Sequence, residues 1–166
     1  MTETLSLKKS LITEDSIRLN TCAISWQNAI EVACGPLVES GAITPDYAED
    51  IIVATKEYGP YYILTDRMAM PHAQPNEHVM RDAFSFVTLT DPVEFPNGKP
   101  VQILVVLAAT NPDVHVSIAI PQIVAVFEQK GIIDKVLNIT DKSEIIKIIE
   151  QSDYKKYINW LLGEES

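Results

Sequence analysis

A chain of 166 residues with 46% hydrophobic and 22% charged side chains has the make-up of one folded domain and excludes a disordered one. No apolar run approaches the roughly 20 residues of a membrane-spanning helix, so the chain is not expected to cross a bilayer that way. A formal net charge of −10 argues against nucleic-acid and anionic-membrane binding, because an acidic surface repels phosphate; it leaves room for a basic protein partner.

The first residues, MTETLSLKKSLITEDS, place charges where a signal peptide would place its apolar centre, so a cytoplasmic setting is expected. The two cysteines, Cys22 and Cys34, are then expected to be reduced and to act as small buried apolar residues. Residues 25–40 repeat Trp26, Ala29, Ile30, Ala33, Leu37 and Val38 at helical spacing, with Ser25 as the starting cap and Gly41 as the stop. Pro36 inside this pattern predicts a kink or a late break. Thr44-Pro45 begins a second helix that runs through Tyr47, Ile51 and Ala54 to Gly59-Pro60.

The texture then changes to short strands: YYIL (61–64), a further short MAM (68–70), AFSFVTL (83–89) and VQILVVLAA (101–109). The last is almost continuously apolar, as a central strand covered on both faces must be. DPVEFPNGKP (91–100) reads as a turn-rich loop with Asn97-Gly98 as its tight turn. Asn111-Pro112 starts a helix that should run to Gly131, bent at Pro121. KSEIIKIIEQ (142–151) is an amphipathic helix capped by Thr140 or Asp141, and a tail with Tyr154, Tyr157, Trp160 and Leu161 follows it. Helices, strands and helices on one core predict an α/β fold (α+β in some schemes): a three-layer α/β/α sandwich with a mixed β-sheet. The expected division is an N-terminal segment 1–9, a domain 10–152 and a C-terminal helical tail 153–166.

Two of the three histidines stand out. His72 sits between two prolines, in MAMPHAQP, directly after a strand. His115 lies in the first turns of the helix begun at Asn111-Pro112. Both fall where strands hand over to loops and helices, which is where ligands of open α/β sheets bind. The backbone N–H groups of a helix start suit a phosphate, and a neutral imidazole with one nitrogen bonded to the protein keeps the other as a nucleophile. Such a pair suits phosphoryl transfer, which is mostly positioning and charge stabilisation. The bland alternative is that a histidine between prolines is a plain loop residue. His78 has no special context and is expected to face solvent. No Walker loop, G-x-S-x-G, H-E-x-x-H or paired cysteines occur, so no metal and no organic cofactor are expected.

The stretch AMPHAQPNEHV, the strands AFSFVTL and VQILVVLAA, and NPDVHVSIAIPQI resemble the mannitol/fructose-type enzyme IIA domain of the bacterial phosphoenolpyruvate-dependent sugar phosphotransferase system. GPYYILTDRMAMPHAQP is most similar to its ascorbate-type branch, and the resemblance covers about Ser10 to Gln151. It implies that His72 is the phosphorylated residue, taking phosphate from the phosphohistidine of HPr and passing it to a cysteine of the cognate EIIB. It implies that His115 is the second active-site histidine, helping to hold the phosphate. The membrane EIIC would be engaged only indirectly, and self-association is left open. Mannitol-type members carry an arginine on the helix before the active loop; the matching residue here is Lys56, which cannot form arginine's two-pronged contact with phosphate, and it is left out of the site. A regulatory EIIA-like protein that signals by its phosphorylation state is the alternative function.

Overall fold

The computed structural model describes residues 5–152, without the side chains of His115 and Val116; the C-terminal tail expected to be helical lies outside the described residues. A five-stranded mixed sheet forms the middle layer of the sandwich that the sequence predicts. Its strands are β1 (Ile17–Thr21), β2 (Ile63–Thr65), β3 (Arg67–Ala69), β5 (Phe86–Glu94) and β6 (Pro100–Leu104), in the order β1-β5-β6-β3-β2. β1 runs parallel to β5, and β3 parallel to β6, while β5 with β6 and β2 with β3 are antiparallel. A second small sheet pairs β4 (Ala83–Phe84) with β7 (Leu107–Ala108).

Helices α2 (Trp26–Ser40) and α3 (Asp46–Tyr58) cover one face. Helices α1 (Leu7–Thr13), α4 (Ile120–Phe127), α5 (Ile132–Leu137) and α6 (Lys142–Glu150) cover the other. Residues 103–108 are all fully buried and divide between the two faces with a period of two: Ile103, Val105 and Leu107 meet the α4 side, and Leu104, Val106 and Ala108 the α3 side. This is the physical content of the continuous apolar run, and it places β6 in the centre of the sheet.

Local chemistry sets most ends. Ser25 accepts from Asn28 N at 3.1 Å at the start of α2, and Gly41 ends it at φ 85°. Pro36 does not break the helix, which continues to Ser40. Asp141 rather than Thr140 caps α6, accepting from Ser143 N at 2.9 Å.

Four other expectations are corrected. The strands read over residues 83–89 and 101–109 are each interrupted, giving β4 with β5 and β6 with β7. The loop expected over 91–100 is shorter, because β5 runs on to Glu94; Pro92, which has no N–H to give the ladder, falls where the β5–β6 register shifts. The turn itself is confined to the residues after Phe95, whose carbonyl accepts from Gly98 N at 2.8 Å. The helix after Asn111 passes through a π-helical segment, Val114–Ala119, into α4, and ends at Phe127 rather than at Gly131. Pro121 cannot return an N–H to the previous turn, and the wider i→i+5 turn ahead of it accommodates that loss. Cys22 is exposed, whereas Cys34 is buried in α2, where burial pushes its thiol up to about 12.

Candidate active site

β3 delivers the chain to the loop that carries His72. Past Ala69 the sheet contact continues as single bonds: Val105 N donates to Ala69 O at 2.9 Å, and Leu107 N to Pro71 O at 3.0 Å. Pro71 is therefore pinned by its carbonyl while its ring fixes its own φ. The half-buried imidazole of His72 folds back on this strand end, with Nδ1 2.8 Å from Met70 O. A carbonyl only accepts, so Nδ1 carries the proton and the ring's lone pair lies on Nε2.

Three tyrosines shape the surroundings. Tyr61 donates its hydroxyl to the carbonyl of His72, and its ring stands edge-on to the imidazole, 5.2 Å between centroids at 81°. Tyr62 approaches the same ring at 6.3 Å, and its buried hydroxyl lies 2.6 Å from Thr55 Oγ1. Tyr47 accepts from Ala73 N at 3.1 Å and donates to Leu107 O at 2.8 Å, so one buried hydroxyl joins the loop, β7 and α3. Burial raises all three phenol pKa values, so these groups act as neutral hydrogen-bonding partners. Along α3, Tyr47, Ala54 and Tyr58 share the face toward the loop, at steps of seven and four residues.

Beside His72 lies a surface groove of about 480 Å³, lined by Ala54, Tyr58, Tyr61, Ala73, Pro75 and Pro112 with His72 itself and Gln74. Pro112 opens the helical segment that holds His115, so the two segments singled out in the sequence meet at one groove. The side chain of His115 lies outside what the structure describes. None of the described residues lining the groove is a lysine or arginine. Lys56 is exposed, two residues (about 200° on the helix) from both Ala54 and Tyr58, which turns it away from the groove.

The family described as "Phosphoenolpyruvate-dependent sugar phosphotransferase system, EIIA 2" matches residues 10–152. The chain belongs to that family. Its relatives include the "Ascorbate-specific PTS system EIIA component" of Mycoplasma pneumoniae, 36% identical over 155 residues, which are 93% of this chain and 98% of the relative. The protein of the same name from Escherichia coli K12 is 33% identical over 90% of this chain and 98% of its own. Among solved structures, a Streptococcus mutans protein assigned as a PTS IIA (PtxA) is 46% identical, with a TM-score of 0.90 over 93% of this chain and 99% of that one. This protein is thus an EIIA component of a sugar phosphotransferase system, and such components act in phosphoryl transfer.

In this EIIA, sequence reasoning missed the tyrosine triad. The doublet Tyr61-Tyr62 so close to His72 was a usable signal, since buried tyrosines need a partner for the hydroxyl. Nothing local to Tyr47 announced that its hydroxyl reaches Ala73, 26 residues on. His78 also departs from expectation. It is half-buried and paired with Asp50 at 2.6 Å, because the loop turns back over α3.

Proposed function

We propose that His72 accepts a phosphoryl group on Nε2 and passes it to a second protein. The observation that carries this reading is the bond from Nδ1 to Met70 O, which fixes the tautomer and turns the other nitrogen into the nucleophile. The incoming P–N bond to the donor's imidazole breaks as the bond to Nε2 forms, and the donor ring recovers its electron pair. In the onward step a cysteine thiolate of the acceptor displaces His72 from phosphorus, and the imidazole returns to its neutral state. Both partners are protein side chains, so the chemistry asks for no metal or organic cofactor.

The donor in this reading is HPr and the acceptor the cognate EIIB, with EIIC engaged only through EIIB. The names of the relatives support ascorbate as the sugar taken up. His115 is the second site histidine, holding the phosphoryl oxygens from the helical segment that begins at the groove. Residues 10–152 form the working domain, flanked by 1–9 and 153–166, and the reaction takes place in the cytoplasm.

The test is incubation with phosphoenolpyruvate, enzyme I and HPr, followed by mass spectrometry at neutral pH. An acid-labile, base-stable phosphate on His72 is expected, with none on a folded His72→Ala variant. Phosphate on another residue, or on none, refutes the assignment. Labelling should survive EDTA and the joint Cys22→Ala, Cys34→Ala change.

A further inference from the structure

The face of α3 turned toward the His72 loop carries a carboxylate that the transfer step does not use. Asp50 Oδ2 lies 2.6 Å from His78 Nδ1 and accepts from Asn76 Nδ2 at 3.0 Å. Asn76 also donates to Gln74 O at 3.1 Å, and its Oδ1 accepts from His78 N at 2.7 Å. An amide with two donors and one acceptor oxygen meets all three demands.

The place of this network matters more than its number of bonds. Upstream, His72 and Ala73 are held by Tyr61 and Tyr47. Downstream, Thr44 N donates to His78 O at 2.9 Å, and Met80 N to Ala42 O at 2.8 Å. Between these anchors lie residues 74–77, of which Gln74 and Pro75 form a wall of the groove beside His72. Asn76 is the link by which α3 reaches this stretch.

We propose that Asp50, Asn76 and His78 are positioning residues for phosphoryl transfer, a clasp that holds the Gln74-Pro75 wall where the partner protein must seat. This rests on His72 being the phosphoryl acceptor. The charged groups facing His78 are Asp50 and Asp46 from α3 and Glu77 from its own loop, all of them acids. Its hydrogen bond to Asp50, foremost, raises its pKa above the ordinary histidine value, against a smaller opposing effect of desolvation. The clasp is therefore an ion pair on the acid side and loses that charge as pH rises through the raised pKa. Loop order, and with it the transfer rate, should decline over the same interval.

The experiment measures single-turnover transfer from phosphorylated HPr between about pH 6 and pH 9, with the wild-type chain, Asp50→Asn and His78→Gln. NMR follows the imidazole of His78 and the backbone amides of residues 73–77. Asp50→Asn should move the His78 titration down toward its ordinary range and slow transfer at neutral pH about tenfold, the order expected for a misplaced reacting group. Both variants should lose the decline with pH that His78 imposes on the wild-type rate. Folded variants with wild-type rates and an unchanged pH profile overturn the clasp and leave His72 as acceptor. An unlabelled wild-type chain overturns both. Should neither variant fold, the wild-type spectrum decides: amides 73–77 that do not shift as His78 titrates overturn the proposal.

Discussion

The neighbours of His72 set the state and the position of its imidazole. Met70 O fixes the tautomer, Tyr61 holds the backbone and the ring, and Tyr47 holds the next residue. Tyr47→Phe removes a hydroxyl that serves Ala73 N and Leu107 O, the first part-buried and the second buried. Unsatisfied buried groups cost about 1–3 kcal/mol, so the melting temperature should fall by roughly 2–10 °C in calorimetry. A variant as stable as the wild type would show that the hydroxyl adds nothing. At His115 the expectation concerns rate. If it donates to the phosphoryl oxygens in transit, His115→Ala should cost on the order of 10²–10³ in transfer, the loss of one preorganised donor. The onward step to the EIIB cysteine should suffer most, because the phosphate loses its positioning there. Single-turnover transfer in both directions checks this, and a folded variant with near wild-type rates makes His115 a bystander. The sequence singles out His72 and His115 as candidates because proline flanks and helix-start signals are local features. The Tyr47 bond was not legible, because it is made across 26 positions of sequence.

At the scale of elements, the loop after the site is tied at its far end to α1. Arg81 Nε and Nη2 donate to the two Glu14 oxygens at 2.6 and 2.8 Å, and Nη2 also reaches Ser40 O at 2.7 Å. This two-pronged pair joins the C-terminal end of α1, the end of α2 and the loop before β4. Glu14 is buried, and the Arg81 guanidinium beside it holds its carboxyl below the usual glutamate value. A depressed pKa gives stability that is complete above the unfolded value and is lost as pH falls through the folded one. Arg81→Gln should therefore lower stability at neutral pH, by about 1–3 kcal/mol. That is less than breaking a fully buried pair costs, because Arg81 itself is half exposed. The deficit should shrink as pH drops below about 4.5, the ordinary glutamate range. Urea melts at two pH values test it: an equal deficit at both would place the effect in packing and not in charge. Long periodic helices such as α2 were legible at this scale, since Ser25 and Gly41 mark both ends. β1 was not read at all. Its five residues include Asn20 at φ 56°, an edge strand too short and irregular to show alternation. α1 and α5, of seven and six residues, span too few turns for a helical period to declare itself.

The whole molecule carries a net charge of −10, and the proposed donor must find one imidazole on its surface. Steering toward a basic partner accelerates encounter at low ionic strength and fades as salt screens it. The second-order rate of phosphorylation by HPr should fall about tenfold between roughly 20 mM and 500 mM salt, while the rate within the complex stays constant. Stopped-flow mixing separates the two, and a salt-independent second-order rate would remove steering from the account. At this scale the order of apolar runs and stripes along the chain dictated the composition of the layers. The almost continuously apolar run through residues 101–109 required a central strand with both faces covered, and the stripes of α2, α3 and α6 required helices to cover it. The sequence also marked the stiff backbone on either side of His72, because proline restricts the chain without help from distant residues. What surrounds the imidazole of His72 came from the folded arrangement. The fold brings α3, the loop after β3 and Pro112, just ahead of the π-helical segment, to one groove, and turns Asp50 onto His78 across 28 residues. Those partners are chosen by where strands cross in the sheet, and side-chain patterns record which face is buried but not which neighbour it meets.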